Sequence, residues 1–216
     1  MRRIVAINTS PRTAWNTATL VHEAADGAAS KQAEITYFDL YKLEPFTGCI
    51  SCFGCKIKPN EGRCICKDGL ASVLEAIRQS DGLILGTPNY LGDVSAGFRA
   101  LYERLIFQAL TYKTDPRSYN DRKIPVLLIM TSNASEAFYG PIGYKRMLKG
   151  YQKSLESFVG NTKLFIAGDT LQVKDYSRFD WTMFNPQAKQ ERHDKVFPDE
   201  RKKAFQLGAE MITKPW

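Results

Sequence analysis

Three polar stretches and one cysteine-rich stretch hold most of the residues of this chain that could do chemistry. The first runs Asn8-Thr9-Ser10-Pro11-Arg12-Thr13-Ala14-Trp15-Asn16-Thr17, between a short apolar run and a helical pattern. Ser10, Thr13, Asn16 and Thr17 bring hydroxyls and an amide to the place where the helix must begin. A helix start carries positive partial charge and unsatisfied N–H donors, so it suits an anion. Arg12 adds a planar fork that matches phosphate oxygens. The plainer use of Asn16 or Thr17 is to cap the first turn. The second stretch is Thr87-Pro88-Asn89-Tyr90-Leu91-Gly92. Pro88 lacks an N–H and fixes its φ, while Gly92 accepts positive φ, so regular structure should break there. The third is Thr131-Ser132-Asn133, which suits either a ligand loop or a plain helix cap. Neither G-x-G-x-x-G nor G-x-x-x-x-G-K-[ST] occurs, which weakens the standard dinucleotide and ATP readings.

The cysteine stretch is Gly48-Cys-Ile-Ser-Cys-Phe-Gly-Cys, closing with Cys64-Ile-Cys66, a C-x2-C-x2-C-x8-C-x-C spacing. A tight triplet suits an iron–sulfur cluster, which takes one thiolate per iron, with Cys64 or Cys66 as the fourth ligand. A zinc site is less natural, because three such close thiolates crowd a tetrahedral ion. The remaining reading is a loop of reduced cysteines acting as small apolar residues.

These stretches need a scaffold. Ile4–Ile7, Ala33–Leu40, Gly82–Gly86, Lys123–Thr131 and Asn161–Ala167 read as strands, and the third is apolar enough to be buried on both faces. Between them, apolar residues at helical spacing mark helices from Leu20, from Asp68 as a cap, from Ser95 and around Met147–Phe158, with a final helix through Ala204–Ile212. Five β–α units predict a doubly wound parallel sheet of order 2-1-3-4-5 in three α/β/α layers. Ligands of such sheets bind beyond the carboxyl ends of the strands, where all three polar loops fall. Residues 1–216 read as one domain, with a Cys-rich insertion at 44–67 and an aromatic excursion at 170–198 before the last helix. Tyr176, Phe179, Trp181, Phe184 and Phe197 show no clear period there, so the segment is expected against another subunit or back on its own domain. His193, among Arg192, Asp194 and Lys195, reads as solvated surface without a catalytic role.

The net charge of +7 is spread among acids with no basic run, which argues against a nucleic-acid arm and favours anionic cofactors only generally. No stretch approaches membrane-spanning length, and the apolar start is too short for a signal peptide. The expectation is a cytoplasmic protein whose cysteines are not structural disulfides.

Taken together, Ser10-Pro-Arg12 with Asn16-Thr17, the cysteine triplet and Gly86-Thr-Pro-x-Tyr90-x-Gly-x-x-Ser95-Ala resemble the NAD(P)H-dependent FMN reductases. The resemblance runs from about Arg3 to about Ile129 and is narrower still to the branch that includes the iron–sulfur flavoproteins, on a flavodoxin-like fold. It implies that Ser10, Arg12, Asn16 and Thr17 hold the FMN phosphate. Pro88, Asn89, Tyr90, Leu91 and Gly92 would lie along the isoalloxazine with Ser95 nearby, and Thr131, Ser132 and Asn133 near its pyrimidine or ribityl chain. The implied activity passes electrons from NAD(P)H through flavin to a quinone, free flavin or other small acceptor. The aromatic excursion adds the expectation of a homodimer or homotetramer. Flavin chemistry fits these residue types, since a flat apolar ring with a polar edge wants an aromatic wall and backbone donors, here from Asn89 to Gly92. Thr9 stands where the family commonly has Gly, and Arg99 and Glu103-Arg104 where Lys and Asp-Arg are usual. The gap before the fourth cysteine is longer than in cluster-bearing members, so the resemblance implies a flavoprotein without a metal site. The alternative is an electron carrier with a [4Fe–4S] cluster on Cys49, Cys52, Cys55 and Cys64, fed by a ferredoxin-like donor.

Overall fold

Alternation along three strands splits the apolar residues into two cores. In the computed structural model, which describes residues 1–216, β1 (Arg3–Asn8), β3 (Gly82–Pro88) and β4 (Val126–Thr131) are central. They carry Val5, Ile7, Leu83, Leu85, Val126, Leu128 and Met130 on one face, and Ile4, Ala6, Ile84, Leu127 and Ile129 on the other. The first face packs on α2 (Leu70–Gln79), α3 (Ala96–Ala109) and α4 (Tyr144–Phe158) through Leu70, Val73, Phe98, Leu101, Leu148 and Leu155. The second packs on α1 (Asn16–Ala29) and α6 (Phe197–Thr213) through Leu20, Val21, Ala24, Ala204, Leu207 and Met211. With β2 (Glu34–Asp39) and β5 (Thr162–Ala167) at the edges, the sheet is parallel throughout in the order β2-β1-β3-β4-β5. This is the flavodoxin-like three-layer arrangement that the spacing predicts.

Two expectations change. Thr87 and Pro88 do not break regular structure; they extend β3, and Pro88 pairs with Thr131. β1 has ended by that point, at Asn8 opposite Gly86, so the donor that Pro88 lacks faces no strand partner. The excursion also holds a helix of its own, α5 (Pro186–Lys195), and the last helix begins at Phe197. Lys189 is the one buried residue of α5, so apolar periodicity had nothing to report. Its start is set locally: the Asn185 side chain accepts from Ala188 N, and Pro186 takes the first position.

Glycines allow the close approaches that place the first loop. A Cβ on Gly86 would come within 2.1 Å of Val21 Cγ2, so α1 lies directly on the end of β3. α1 and α6 cross backbone to backbone, since a Cβ on Gly208 would fall 1.8 Å from the Ala24 carbonyl oxygen. No helix is long and apolar enough to cross a membrane.

Candidate functional site

Beyond the carboxyl ends of β1, β3 and β4, the three polar loops surround one cavity of about 270 Å³. Ser10, Arg12, Asn16, Thr17, Pro88, Asn89, Tyr90, Thr131, Ser132 and Asn133, ten of the positions singled out from the sequence, line it. Leu91, Gly92 and Ser95 are not in its wall.

The start of α1 is open. Its N-cap position is Trp15, with no side-chain cap and no acid in the first turn. Asn16 and Thr17 do not cap it either. Asn16 Nδ2 donates to the Leu171 carbonyl at 2.7 Å, and the Thr17 and Thr131 hydroxyls pair at 2.7 Å. The first-turn donors are therefore left for a ligand, beside a cation. Arg12 lies over the Trp15 ring, 4.3 Å from its centroid. Partial burial lowers the Arg12 pKa, the neighbouring Tyr90 phenol opposes that, and a guanidinium stays charged regardless. Burial also raises Tyr90, against the pull of Arg12 and Ser10, so the phenol stays protonated with those two residues beside it.

The second loop is a tight turn. Tyr90 and Asp93 exchange backbone bonds of 2.8 and 3.1 Å around Leu91 (φ 54°) and Gly92 (φ 89°), a pair of positive φ angles of the I′ kind. Leu91 is wholly exposed at the tip. The turn corrects one expectation. Asn89 N donates to the Thr131 carbonyl, Tyr90 N to Asp93, and Gly92 N to Asn89 Oδ1. Of the four backbone donors, Leu91 N–H alone is unspent, because β4, the turn's own main chain and the Asn89 side chain take the other three. Ser95 is fully buried; it accepts from Phe98 N to cap α3, and its hydroxyl donates to the Thr9 carbonyl at 2.7 Å. It shapes the loops from beneath.

The third loop is held from two sides. Tyr139 donates to Ser132 Oγ at 2.7 Å, and burial pushes its phenol up to about 12, so it stays a donor. Buried Lys189 donates to Asn133 Oδ1 at 2.6 Å and pairs with Asp169. Lys189 thus ties α5 to the site, which no local signal in so polar a helix could reveal. Trp15, Thr170, Leu171, Gln172, Val173 and Trp181 also line the cavity and were not singled out from the sequence. The aromatic richness of the excursion was their only trace: Tyr176, Phe179, Trp181 and Phe184 pack on one another, and Trp15 Nε1 donates to the Leu171 carbonyl. The segment packs back on its own chain.

A fixed cation, an unspent helix start and an apolar-aromatic wall in one crevice are the donor set that a flat ring with a phosphate tail requires. The residues fit FMN.

The five cysteines are free thiols that surround a second, apolar void of only about 10 Å³, together with Phe53, Ile65, Phe107 and Arg104. Arg104 is fully buried; its Nη1 donates to both Asp68 oxygens at 2.6 Å, and its Nη2 to the Cys66 carbonyl. Burial would raise Asp68, but Arg104 holds its carboxyl below the ordinary range. Burial pushes the Cys66 thiol up to about 11, with Cys64 adding to the rise and Arg104 opposing it. No group of three ligating side chains could hold one metal ion, and a void of this size is at the limit for a single water. As arranged, the loop does not fit a cluster.

Comparison with known proteins agrees with this geometry. The family model of NADPH-dependent FMN reductases matches residues 2–137. An iron–sulfur flavoprotein of Methanocaldococcus jannaschii is 36% identical over 102 residues, which are 47% of this chain and 51% of that protein. An iron–sulfur flavoprotein of Archaeoglobus fulgidus is 31% identical over 104 residues, 47% of this chain and 48% of that protein. The matches thus span about half the length of these curated relatives. In solved structures the fold recurs in an NAD(P)H:quinone oxidoreductase from Methanothermobacter marburgensis. Its TM-score is 0.70 at 13% identity, covering 97% of this chain and 96% of that one. An azoreductase from Bacillus anthracis gives 0.67 at 12% identity, covering 97% and 100%. The matched region holds β1 to β4 and all three polar loops, and the chain belongs to the family of NADPH-dependent FMN reductases.

Proposed function

We propose that the crevice binds FMN and that the protein is an FMN-dependent oxidoreductase, taking electrons from NAD(P)H and passing them to a quinone, a flavin or another small acceptor. One observation carries this reading: the uncapped start of α1, with Arg12 beside it, opens into the cavity walled by Pro88 and Tyr90. When bound, FMN supplies hydride acceptance and onward electron transfer. The chain does the rest. Arg12, the Ser10 hydroxyl and the first-turn N–H groups hold the phosphate, while the Thr17–Thr131 hydroxyl pair fixes the first loop against β4. Tyr90 and Pro88 form the wall. Asn89 Nδ2, which makes a long contact of 3.8 Å with Met130 Sδ, is the donor this loop offers at the cavity wall for negative charge on the ring edge. No side chain is needed as a general acid or base, because positioning is the main contribution. The test is apoprotein titrated with FMN and then supplied with NADPH or NADH and a quinone. Tight binding with NAD(P)H oxidation is expected, and apoprotein that ignores FMN would contradict the reading.

A second reading keeps the cluster alternative, a [4Fe–4S] group on Cys49, Cys52, Cys55 and Cys64, because all five thiols surround one void. Iron and sulfide analysis after anaerobic purification decides, and the expected result is far less than one cluster per chain. Assembly as a homodimer or homotetramer is proposed through the exposed Phe179, Trp181 and Met183 beside the crevice, with light scattering as its test.

A further inference from the structure

Next to the crevice lies a hollow of about 370 Å³ that this function does not use. It shares Trp15, Asn16 and Leu171 with the cofactor cavity, so the two meet at the start of α1. Its remaining walls include Lys174, His193, Phe197 and Arg201, and no carboxylate lines it. Arg201 is shared with Glu23 at 2.5 Å, whereas Lys174 has no ion-pair partner. The nearest acid in sequence, Asp175, is engaged by Ser177 N and Oγ. His193 stacks on Phe197 with centroids 5.0 Å apart, and its buried Nδ1 has no hydrogen-bond partner.

These features form a pattern. Aromatic and aliphatic surface from Trp15, Leu171, Phe197 and the His193 ring suits a flat heterocycle. Cations beside a helix start suit a phosphate. The His193 ring forms part of the wall, with its unpartnered Nδ1 buried behind the surface. The hollow begins where the crevice would already hold one phosphate, so a ligand reaching both would carry phosphate groups at their junction.

We infer that this hollow binds the adenosine-phosphate half of a nucleotide whose other half lies in the cofactor crevice. The location of the first phosphate rests on the FMN reading. The adenosine phosphate has two possible sources: the cofactor itself, if FAD takes the place of FMN, or the dinucleotide co-substrate, held while FMN occupies the crevice.

The experiment titrates apoprotein with FMN and with FAD, and FMN-loaded protein with ADP and 2′,5′-ADP, following tryptophan fluorescence and calorimetric heat. It is repeated on Lys174→Glu and His193→Ala. FAD binding at least tenfold tighter than FMN assigns the hollow to the cofactor. Equal flavin affinities with adenosine phosphate binding to the FMN-loaded protein assign it to the co-substrate. In either case Lys174→Glu should weaken the adenosine-containing ligand about tenfold, and His193→Ala should weaken it in the same direction. Equal flavin affinities with no adenosine phosphate binding would overturn the inference, as would binding that neither substitution alters. Apoprotein that binds ADP but not FMN would retain the hollow and refute the FMN assignment.

Discussion

Arg12 is exposed, contacts Trp15 and carries no carboxylate partner, so it can be removed without unfolding the chain. A charge-assisted bond to phosphate contributes about 1.5–3 kcal/mol, so Arg12→Ala should weaken FMN binding about 10- to 100-fold with the melting temperature unchanged. Flavin fluorescence titration and a thermal melt check both halves. Asp68 behaves differently. It is the one carboxylate on the buried Arg104, and Asp68→Asn should cost about 3 kcal/mol by leaving that cation unpaired. Its folded pKa is depressed, so its contribution is complete above about pH 4 and is lost as pH falls through the folded value. Urea melts of the wild type and Asp68→Asn should therefore differ above about pH 4 and converge only as pH falls below it. Cys66, pushed up to about 11, should resist alkylation at pH 8 while exposed Cys52 reacts, as peptide mapping would show. Ser10, Arg12 and Tyr90 were legible in the sequence because their chemistry is carried by residue type at a strand end. Gln172 and Trp181 were not, because only the return of a distant segment makes them part of the crevice.

At the scale of elements, β1, β3 and β4 were legible as short apolar runs buried on both faces, and α2 and α4 because their apolar residues recur at a helical period on one buried side. α5 escaped because a helix anchored by a single buried lysine has no apolar stripe. That lysine bonds Asn133 and Asp169, and Lys189→Met should release the excursion from the third loop. Hydrogen exchange would then quicken across 170–195, with β1 and β3 still protected. The opposite failure belongs to the α1–α6 crossing. A methyl at Gly208 meets the Ala24 carbonyl oxygen, not a flexible side chain, so Gly208→Ala should cost at least about 1–3 kcal/mol in a denaturant melt. Because α1 also carries the phosphate loop, that variant should bind FMN more weakly even where it remains folded.

Across the whole molecule, the order of the sheet sets the site. β1 and β3 are neighbours with α1 on one face and α2 and α3 on the other, so the loops after β1 and β3 open at the sheet end where the strand order reverses. The cavity, the adjoining basic hollow and the net charge of +7 all favour a phosphate-bearing partner. The measurement that tests the central claim most directly is an anaerobic absorption titration of the FMN-reconstituted protein with NADPH. The account predicts about one flavin per chain and complete bleaching of its visible band by about one equivalent of reductant, with colour returning when quinone is added. A protein that stays colourless after FMN is supplied, or a bound flavin that NADPH and NADH both leave oxidised, would contradict it.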